Sequence, residues 1–231
     1  MTVPGAPSLF FLFYLLLFLP WVALRSARRL RAAREGVVAR PSRTAIWMGT
    51  LLSQTVLLTL AWLVGRGFGY DIFAVHTPQP RHLAAALGAL ATCFAVRAVG
   101  RAIRSPEERR TLEVYAWAPR RPNEWGLWTA AVLIGSIAEE AAYRGVGMSI
   151  LWYSIGSPWI AALLCATAFA LAHSTQGWKS AALVFVIALV MHALVAFTGT
   201  LVLAMVVHAV YDLAAGYAIG RTARQYEQQV T

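Results

Sequence analysis

Two adjacent glutamates and an arginine interrupt the apolar segment Ala130–Ile150, and they constrain the fold more than any other feature of the sequence. A charged side chain at the centre of a bilayer costs about 2.5–3.5 kcal/mol on insertion scales, so these groups must face a protein interior. On a helix Glu140 and Arg144 are i, i+4 neighbours, whereas Glu139 is turned about 100° away from Glu140. The sequence therefore predicts an ion pair between Glu140 and Arg144 and a Glu139 carboxylate that is left free.

The composition indicates an integral membrane protein. Hydrophobic residues make up 59% of the chain, charged residues 13%, and the mean hydropathy is +0.60, values that a soluble domain does not reach. The formal charge of +10 is concentrated in short segments beside apolar runs, which argues against a nucleic-acid binder. Cys93 and Cys165 lie inside predicted spans, and their spacing indicates neither a disulfide framework nor a metal knuckle.

Apolar runs separated by polar or glycine-rich turns predict an all-α fold, a polytopic transmembrane helix bundle of about seven spans. Residues 1–124 are predicted to hold N-terminal spans and basic loops, residues 125–220 the functional core, and residues 221–231 a short polar tail. The predicted spans cover about Ser8–Leu24, Ala45–Val64, Leu83–Val99, Trp125–Tyr153, Pro158–His173, Ala181–Phe197 and Leu201–Ile219.

Two arginine-rich segments, Arg25–Arg43 and Arg97–Arg121, follow the first and third predicted spans. By the positive-inside rule both are cytoplasmic, which places the N-terminus outside and the C-terminus in the cytoplasm of a multi-pass protein, expected in a bacterial plasma membrane. The first segment is interpreted as a solvated loop, with an amphipathic interfacial helix as the alternative. Three glutamates in the second segment are interpreted as solvated surface charges: Glu107, Glu108 and Glu113.

Two further pairs of residues stand four positions apart on the late helices. Phe169 precedes His173 by one turn, so its ring can shield the imidazole from lipid and fix its orientation. Asp212 follows His208 by one turn, so its carboxylate can accept the imidazole N–H and fix the tautomer. His192 has no acid at this spacing and is interpreted as a core histidine. The predicted site thus lies within the last four helices.

Together with Glu139, Glu140 and Arg144, these residues predict a polar pocket inside the bundle. Two carboxylates and two histidines can activate a water molecule: a carboxylate takes its proton, a histidine positions it, and another polar group stabilises the oxyanion. Hydrolysis of an amide bond is the chemistry that this set favours. One alternative is a zinc ion held by Glu139, His173 and His208, with the second glutamate as the base. Another is a buried ion pair that only fixes helix register.

The three motifs follow one another in a fixed order: E-E-x-x-x-R at Glu139–Arg144, F-x-x-x-H at Phe169–His173 and H-x-x-x-D at His208–Asp212. This ordered set, with a TGTL turn before the third motif, resembles the CAAX protease and bacteriocin-processing (CPBP, or Abi) family of intramembrane proteases, to which the type II CAAX prenyl endopeptidases are related. The resemblance covers about Trp125–Gly216.

The resemblance implies that a glutamate-activated water attacks a peptide bond in a membrane cavity open to the cytosol. Glu139 is then the general base, His173 helps to hold the water, and His208 helps to form the oxyanion site. The family often has asparagine where this chain has Asp212, and an ionised aspartate cannot donate a hydrogen bond, so Asp212 is either protonated or orients His208. The implied catalytic set is Glu139, Glu140, His173, His208 and Asp212, with Arg144 and Phe169 as orienting residues.

The expected partners are the lipid bilayer and a membrane-associated peptide or protein substrate, and nucleic acid is not expected. Prenylated C-termini, leader peptides and membrane-protein segments all remain open as substrates. No cofactor is expected, with zinc as the alternative. A non-catalytic membrane partner that keeps the protease fold is the alternative function, and a proton-coupled transporter ranks last because no inverted repeat is visible.

Overall fold

The computed structural model describes residues 3–75 and 77–228, and within these residues the chain is helical and contains no strand. Short 3₁₀ turns at Pro122–Glu124 and Ser174–Gln176 precede two of the long helices. The helices are α1 (Ala6–Arg34), α2 (Arg43–Phe68), α3 (Pro80–Ala102), α4 (Pro106–Arg110), α5 (Glu113–Trp117), α6 (125–155), α7 (Pro158–Ala172), α8 (Trp178–Thr198) and α9 (Leu201–Gln228).

The predicted all-α membrane bundle is confirmed. Among the described residues, 5 helices are long and apolar enough to cross a membrane, namely α1, α2, α3, α8 and α9. The other two predicted spans coincide with α6, which carries the buried charges, and with α7, which is apolar but shorter. The number of seven spans therefore stays a prediction. The long helices of the described residues do coincide with the seven apolar runs of the sequence.

Helix α6 lies at the centre of the bundle and changes its winding where the charges begin. It is α-helical over Trp125–Glu139, π-helical over Glu140–Gly147 and α-helical again over Met148–Ile155. A π-helical turn uses i→i+5 hydrogen bonds and is frequent at functional sites, although α1 also contains one at Tyr14–Phe18. A Cβ added at Gly147 would lie 2.5 Å from a Leu15 methyl group, so the absence of a side chain there lets α1 approach the π-helical segment closely.

The remaining helices pack around α6 and position its ionisable residues. Helix α2 runs along α6, α1 packs on α7, and α3 packs on α8 and α9. The helices of residues 1–124 thus join the last four helices in one bundle. Large side chains from α1, α2 and α6 fill the centre of the core, among them Phe11, Leu15, Phe68, Tyr143 and Ile150.

Helix α1 continues through half of the first basic segment and ends at Arg34, well beyond the predicted end of the span at Leu24. The interpretation of Arg25–Arg43 as a loop is therefore wrong for residues 25–34, which are helical, although the arginines of this stretch are exposed, as predicted for a solvated segment. Alanine, leucine and arginine are strong helix formers, and they dominate this stretch. The helix ends at Arg34, two residues before Gly36, which adopts a left-handed φ of 76°.

Arginines at and after the end of α1 bind a buried glutamate of the second arginine-rich segment, Arg97–Arg121. Glu113 is 1% exposed and accepts hydrogen bonds from Arg34 Nε at 2.5 Å and from Arg40 Nη2 at 2.8 Å. The interpretation of Glu113 as a solvated surface charge is wrong, because the tertiary fold brings two arginines over it. Glu107 and Glu108 are exposed as predicted.

Glu124 connects the start of α2 to the start of α6. Its Oε1 accepts a hydrogen bond from Arg43 Nη2 at 2.7 Å. Its Oε2 accepts the backbone N–H groups of Arg120 at 2.7 Å and Arg121 at 3.0 Å. Burial raises the pKa of Glu124, but these hydrogen bonds lower it more, so the pKa of this carboxyl lies below its usual 4.5.

We expect Glu124→Gln to lower Tm at neutral pH and to have little effect in acid. A depressed folded-state pKa stabilises the fold above the unfolded-state pKa, and this stability is lost as pH falls through the folded-state pKa. Thermal unfolding in detergent at about pH 7 and at about pH 3 or below measures the difference, because the stability is lost only as pH falls through the lowered folded-state pKa. Glu35→Gln, an exposed site, is the control with no expected effect. A loss of Tm that does not change with pH would contradict this role.

Candidate active site

The predicted ion pair on α6 is present and is fully enclosed. Arg144 Nη1 lies 3.2 Å from Glu140 Oε1, and the two side chains are 1% and 0% exposed. The same carboxylate oxygen lies 2.8 Å from His208 Nδ1 on α9. Because a carboxylate held by arginine only accepts, His208 Nδ1 carries a proton and donates it. Glu140 therefore fixes the imidazole of another helix as well as its own arginine.

The other nitrogen of His208 faces two carboxylates that border open space. His208 Nε2 lies 3.4 Å from Asp212 Oδ2 and 3.8 Å from Glu139 Oε2. The predicted i, i+4 approach of His208 and Asp212 is therefore present, and Asp212 is 40% exposed. Glu139 is 14% exposed and is not in contact with Arg144. The helical register thus separates a buried glutamate that holds His208 from a second glutamate that faces the cavity.

Sequence reasoning missed one residue of this site, Gln54 on α2. Its Nε2 donates a hydrogen bond to Glu139 Oε1 at 2.7 Å, which leaves Glu139 Oε2 on the side of His208. The side chain fits against Gly135, where an added Cβ would lie 3.7 Å from Gln54 Cγ. Its polar side chain inside an apolar span is the sequence signal that could have identified it.

His173 ends α7 and is held by the residue one turn before it. Its Nδ1 lies 2.8 Å from the backbone oxygen of Phe169, and the two rings have centroids 4.5 Å apart. A carbonyl oxygen only accepts, so Nδ1 of His173 carries the proton and a neutral ring keeps its Nε2 lone pair. The predicted pairing of Phe169 with His173 is thus present, and the backbone of Phe169 fixes the tautomer.

The ring of Phe169 also joins the ion pair to the histidines. The Arg144 guanidinium carbon lies 4.2 Å from the centroid of this ring, a cation–π contact. The Phe169 centroid is 5.0 Å from that of Tyr143 and 6.3 Å from that of His208. Residues from α6, α7 and α9 therefore pack on one aromatic side chain.

These side chains border a cavity of ≈ 410 Å³ that leads from the middle of the bundle to its arginine-rich end. Helices α2, α3, α6, α8 and α9 form its walls, together with the end of α7. Glu140 and Arg144 do not line it, because they lie behind His208. The predicted site residues that line it are Glu139, Phe169, His173, His208 and Asp212.

The residues as placed do not form a metal site. In the part of the chain that the structure describes, no group of three or more histidine, cysteine, aspartate or glutamate side chains could hold a metal ion. Structural and catalytic zinc sites use at least three protein ligands at about 2.0–2.3 Å. The proposed zinc ligands Glu139, His173 and His208 thus share a cavity without forming a ligand set, and no chemical step is assigned to zinc.

His192 stands apart from the cavity. The residue is buried in α8, and its Nε2 has no hydrogen-bond partner among the described residues. His192 is therefore a buried core histidine, as predicted, although its Nε2 forms no hydrogen bond with a described residue. His192 is not among the residues that line the cavity.

Residues 121–214 match the family model described as type II CAAX prenyl endopeptidase Rce1-like. The chain matches no curated protein and no solved structure. The matched region spans α6, α7, α8 and the part of α9 that carries His208 and Asp212, and with the five apolar helices it supports an integral membrane protein of a protease family. The chain therefore carries an Rce1-like region that contains all three motifs, and the resemblance to the CPBP family is confirmed.

Proposed function

We propose that this protein is an intramembrane endopeptidase in which Glu139 activates a water molecule. The observation that carries the proposal is the position of the Glu139 carboxylate, which lines the cavity with His173 and stands 3.8 Å from His208 Nε2. The Rce1-like region supports the protease class. The basic end of the bundle is the cytoplasmic end in this proposal, and the cavity opens there.

The hydrogen-bonding state of His173 supports its role in holding the water. Because Nδ1 donates to Phe169 O, Nε2 of the neutral ring accepts a hydrogen bond from water. Glu139 accepts a hydrogen bond from the other hydrogen of the same molecule. Both hydrogens of the water are then engaged, and an oxygen lone pair is left to attack a carbonyl carbon.

The attack transfers one proton from water to Glu139 Oε2 and forms a tetrahedral oxyanion. Collapse of this intermediate breaks the C–N bond, and the protonated Glu139 returns its proton to the leaving amine. Gln54 keeps Glu139 Oε1 occupied, so the reacting oxygen is Oε2. General acid–base catalysis by one positioned group contributes about 10²–10⁴-fold to a rate.

His208 provides the oxyanion donor in this proposal. Glu140 accepts at Nδ1, so Nε2 of the protonated ring points its N–H into the cavity, where Asp212 and Glu139 also stand. Asp212 then orients the imidazole and keeps it protonated. Related proteins often have asparagine at the position of Asp212. An ionised aspartate cannot donate a hydrogen bond to the oxyanion, and in this proposal the His208 imidazolium donates it instead.

Comparative peptidomics tests the function even while the substrate is unidentified. Membranes of cells that carry the native chain are compared with membranes of cells that carry Glu139→Gln. We expect cleavage products of membrane-associated proteins that are present with the native chain and absent with the variant, and these include prenylated C-termini if the Rce1-like region acts on that class. Identical product sets, together with a partner protein that co-purifies with both chains, would instead support the non-catalytic alternative.

Metal analysis distinguishes the zinc-dependent alternative from the metal-independent mechanism. Atomic emission of the purified protein and activity after chelation are measured on one preparation. Metal-independent hydrolysis requires cleavage that survives chelation. Stoichiometric zinc together with chelator-sensitive cleavage would overturn the mechanism while leaving the protease class intact.

Gln54→Leu is expected to lower kcat about 10–100-fold with little change in KM. The substitution removes a hydrogen bond to a charged group, worth about 1.5–3 kcal/mol, and about 1.4 kcal/mol corresponds to a factor of ten in rate. Thr55→Val is the matched control, because Thr55 is exposed and its hydroxyl donates to the backbone oxygen of Leu51, outside the site. Unchanged kcat in Gln54→Leu would remove Gln54 from the site.

A further inference from the structure

Helix α3 presents two arginines to the same cavity that holds the proposed catalytic residues. Arg97 and Arg101 both line this cavity. They are one turn apart on one face of the helix, with Cα atoms about 6 Å apart. One turn deeper, Cys93 is 1% exposed and packs in a cluster with Leu194 and Val207. The side of α3 that carries Cys93 and Arg97 is therefore turned towards α8 and α9, whereas Arg101 is exposed.

Neither arginine has a partner of opposite charge in the described part of the chain. Three glutamates are engaged elsewhere: Lys179 binds Glu108, and arginines of the α1–α2 region bind Glu113 and Glu124. Asp212 lines the same cavity, but its carboxylate approaches His208. The neighbouring Arg104 differs, because it donates to Ser180 Oγ at 2.9 Å and to the backbone of Gly100. Arg97 is half-buried and Arg101 is exposed, so both guanidinium groups stay free to bind an anion that enters the cavity.

The charges that line the cavity favour an anionic ligand. Four arginines, Arg97, Arg101, Arg104 and Arg109, face two carboxylates, Glu139 and Asp212. Tyr115 lines the same cavity, and burial raises the pKa of this phenol above its usual 10.0, although Arg101 and Arg97 lower it. The guanidinium fork matches the two oxygens of a carboxylate and binds them with a pair of parallel hydrogen bonds.

We infer that Arg97 and Arg101 form an anion-binding subsite that binds a carboxylate of the peptide substrate. This carboxylate lies between the bond to be cut and the arginine-rich end of the cavity. The inference rests on the proposed peptidase function, because it assumes that the cavity binds peptide. The carboxylate belongs either to an aspartate or glutamate side chain or to a free C-terminus. Substrates that carry such a group bind more tightly than substrates that lack it, and the subsite fixes their direction in the cavity.

A binding experiment in the Glu139→Gln background tests the subsite apart from catalysis. The protein is placed in phosphatidylcholine nanodiscs, and binding of a fluorescent apolar decapeptide is measured by anisotropy. Three forms are compared: a free C-terminus, a C-terminal amide, and an amidated peptide with one internal glutamate. We expect at least one carboxylate form to bind about tenfold or more tightly than the neutral amide. The form that gains affinity identifies the source of the carboxylate.

The variant Arg97→Gln/Arg101→Gln should remove this preference and leave binding of the neutral peptide unchanged. The matched control is Arg28→Gln/Arg29→Gln, which removes the same charge from an exposed part of α1 that does not line the cavity. Equal binding of the three peptides would overturn the inference, as would a preference that survives in Arg97→Gln/Arg101→Gln. Displacement of the carboxylate peptide by phosphatidylglycerol in the nanodisc would also overturn it, because the subsite would then bind lipid phosphate.

The two proposals fail in different ways. Cleavage by Glu139→Gln would end the proposed mechanism but would not change the peptide affinities. Absence of the charge preference, with cleavage still abolished in Glu139→Gln, would end only the anion subsite.

Discussion

Glu139→Gln is expected to lower kcat by about 10²–10⁴-fold, because an amide cannot take the proton of the attacking water. The substitution keeps the size of the side chain, and Gln54 Nε2 can still donate to the new amide oxygen in place of Glu139 Oε1. Glu139 makes no ion pair with Arg144, so no buried charge is left alone. KM and Tm should therefore stay close to those of the native protein, and the loss should appear in kcat alone.

Two comparisons make this result specific. Glu107→Gln changes an exposed glutamate outside the cavity and should leave kcat unchanged. Glu140→Gln should lower both Tm and kcat, because Glu140 holds Arg144 and His208 from a fully buried position. Turnover at the native rate in Glu139→Gln, measured on a cleaved substrate found by peptidomics, would exclude Glu139 as the base.

Arg144→Met is expected to destabilise the fold by about 3–5 kcal/mol, the usual cost of removing one partner of a buried ion pair. Arg144 lies between the Glu140 carboxylate and the face of the Phe169 ring, and it is 2% exposed. The substitution leaves the Glu140 charge in a low-dielectric core with His208 as its remaining partner. A lower Tm in detergent and a lower yield of folded protein should report this loss.

A matched control and a double variant distinguish lost charge balance from lost packing. Arg66 contacts the ring of Trp62 at 5.3 Å and has no buried acidic partner among the described residues, so Arg66→Met should change Tm little. Glu140→Gln/Arg144→Met should recover part of the stability, because no uncompensated charge remains. Its activity should stay low, since His208 then lacks an anionic acceptor at Nδ1. A native Tm in Arg144→Met would contradict the structural role of this pair.

The local part of the site follows from helical spacing. Side chains four positions apart meet on one face wherever the chain is helical, and lipid forces apolar runs to be helical because every backbone polar group must be satisfied internally. The contacts of Glu140 with Arg144, of Phe169 with His173 and of His208 with Asp212 were therefore predictable. Their order along the chain also sufficed to indicate the family that the Rce1-like match supports.

Contacts between distant segments needed the packed bundle. Gln54 meets Glu139 across 85 positions of sequence, and His208 meets Glu140 across 68. Glu113 has the same surface-like sequence context as its exposed neighbours, yet Arg34 and Arg40 enclose it. Such pairs depend on which faces of two helices are turned towards each other. A separation of that many residues along the chain does not fix the distance between two side chains.

By itself, the sequence determined the helical class, the places of the long helices and the identity of nearly all groups that can do chemistry, because these depend on hydrophobicity and on spacing within one helix. Tertiary structure alone decided which carboxylate faces the cavity with a partner from α2 and which one is enclosed behind His208. It also decided which arginines line that cavity without an acidic partner among the described residues. Helix packing sets the environment of each charge, and in a bundle of low dielectric the environment decides between a structural and a chemical role.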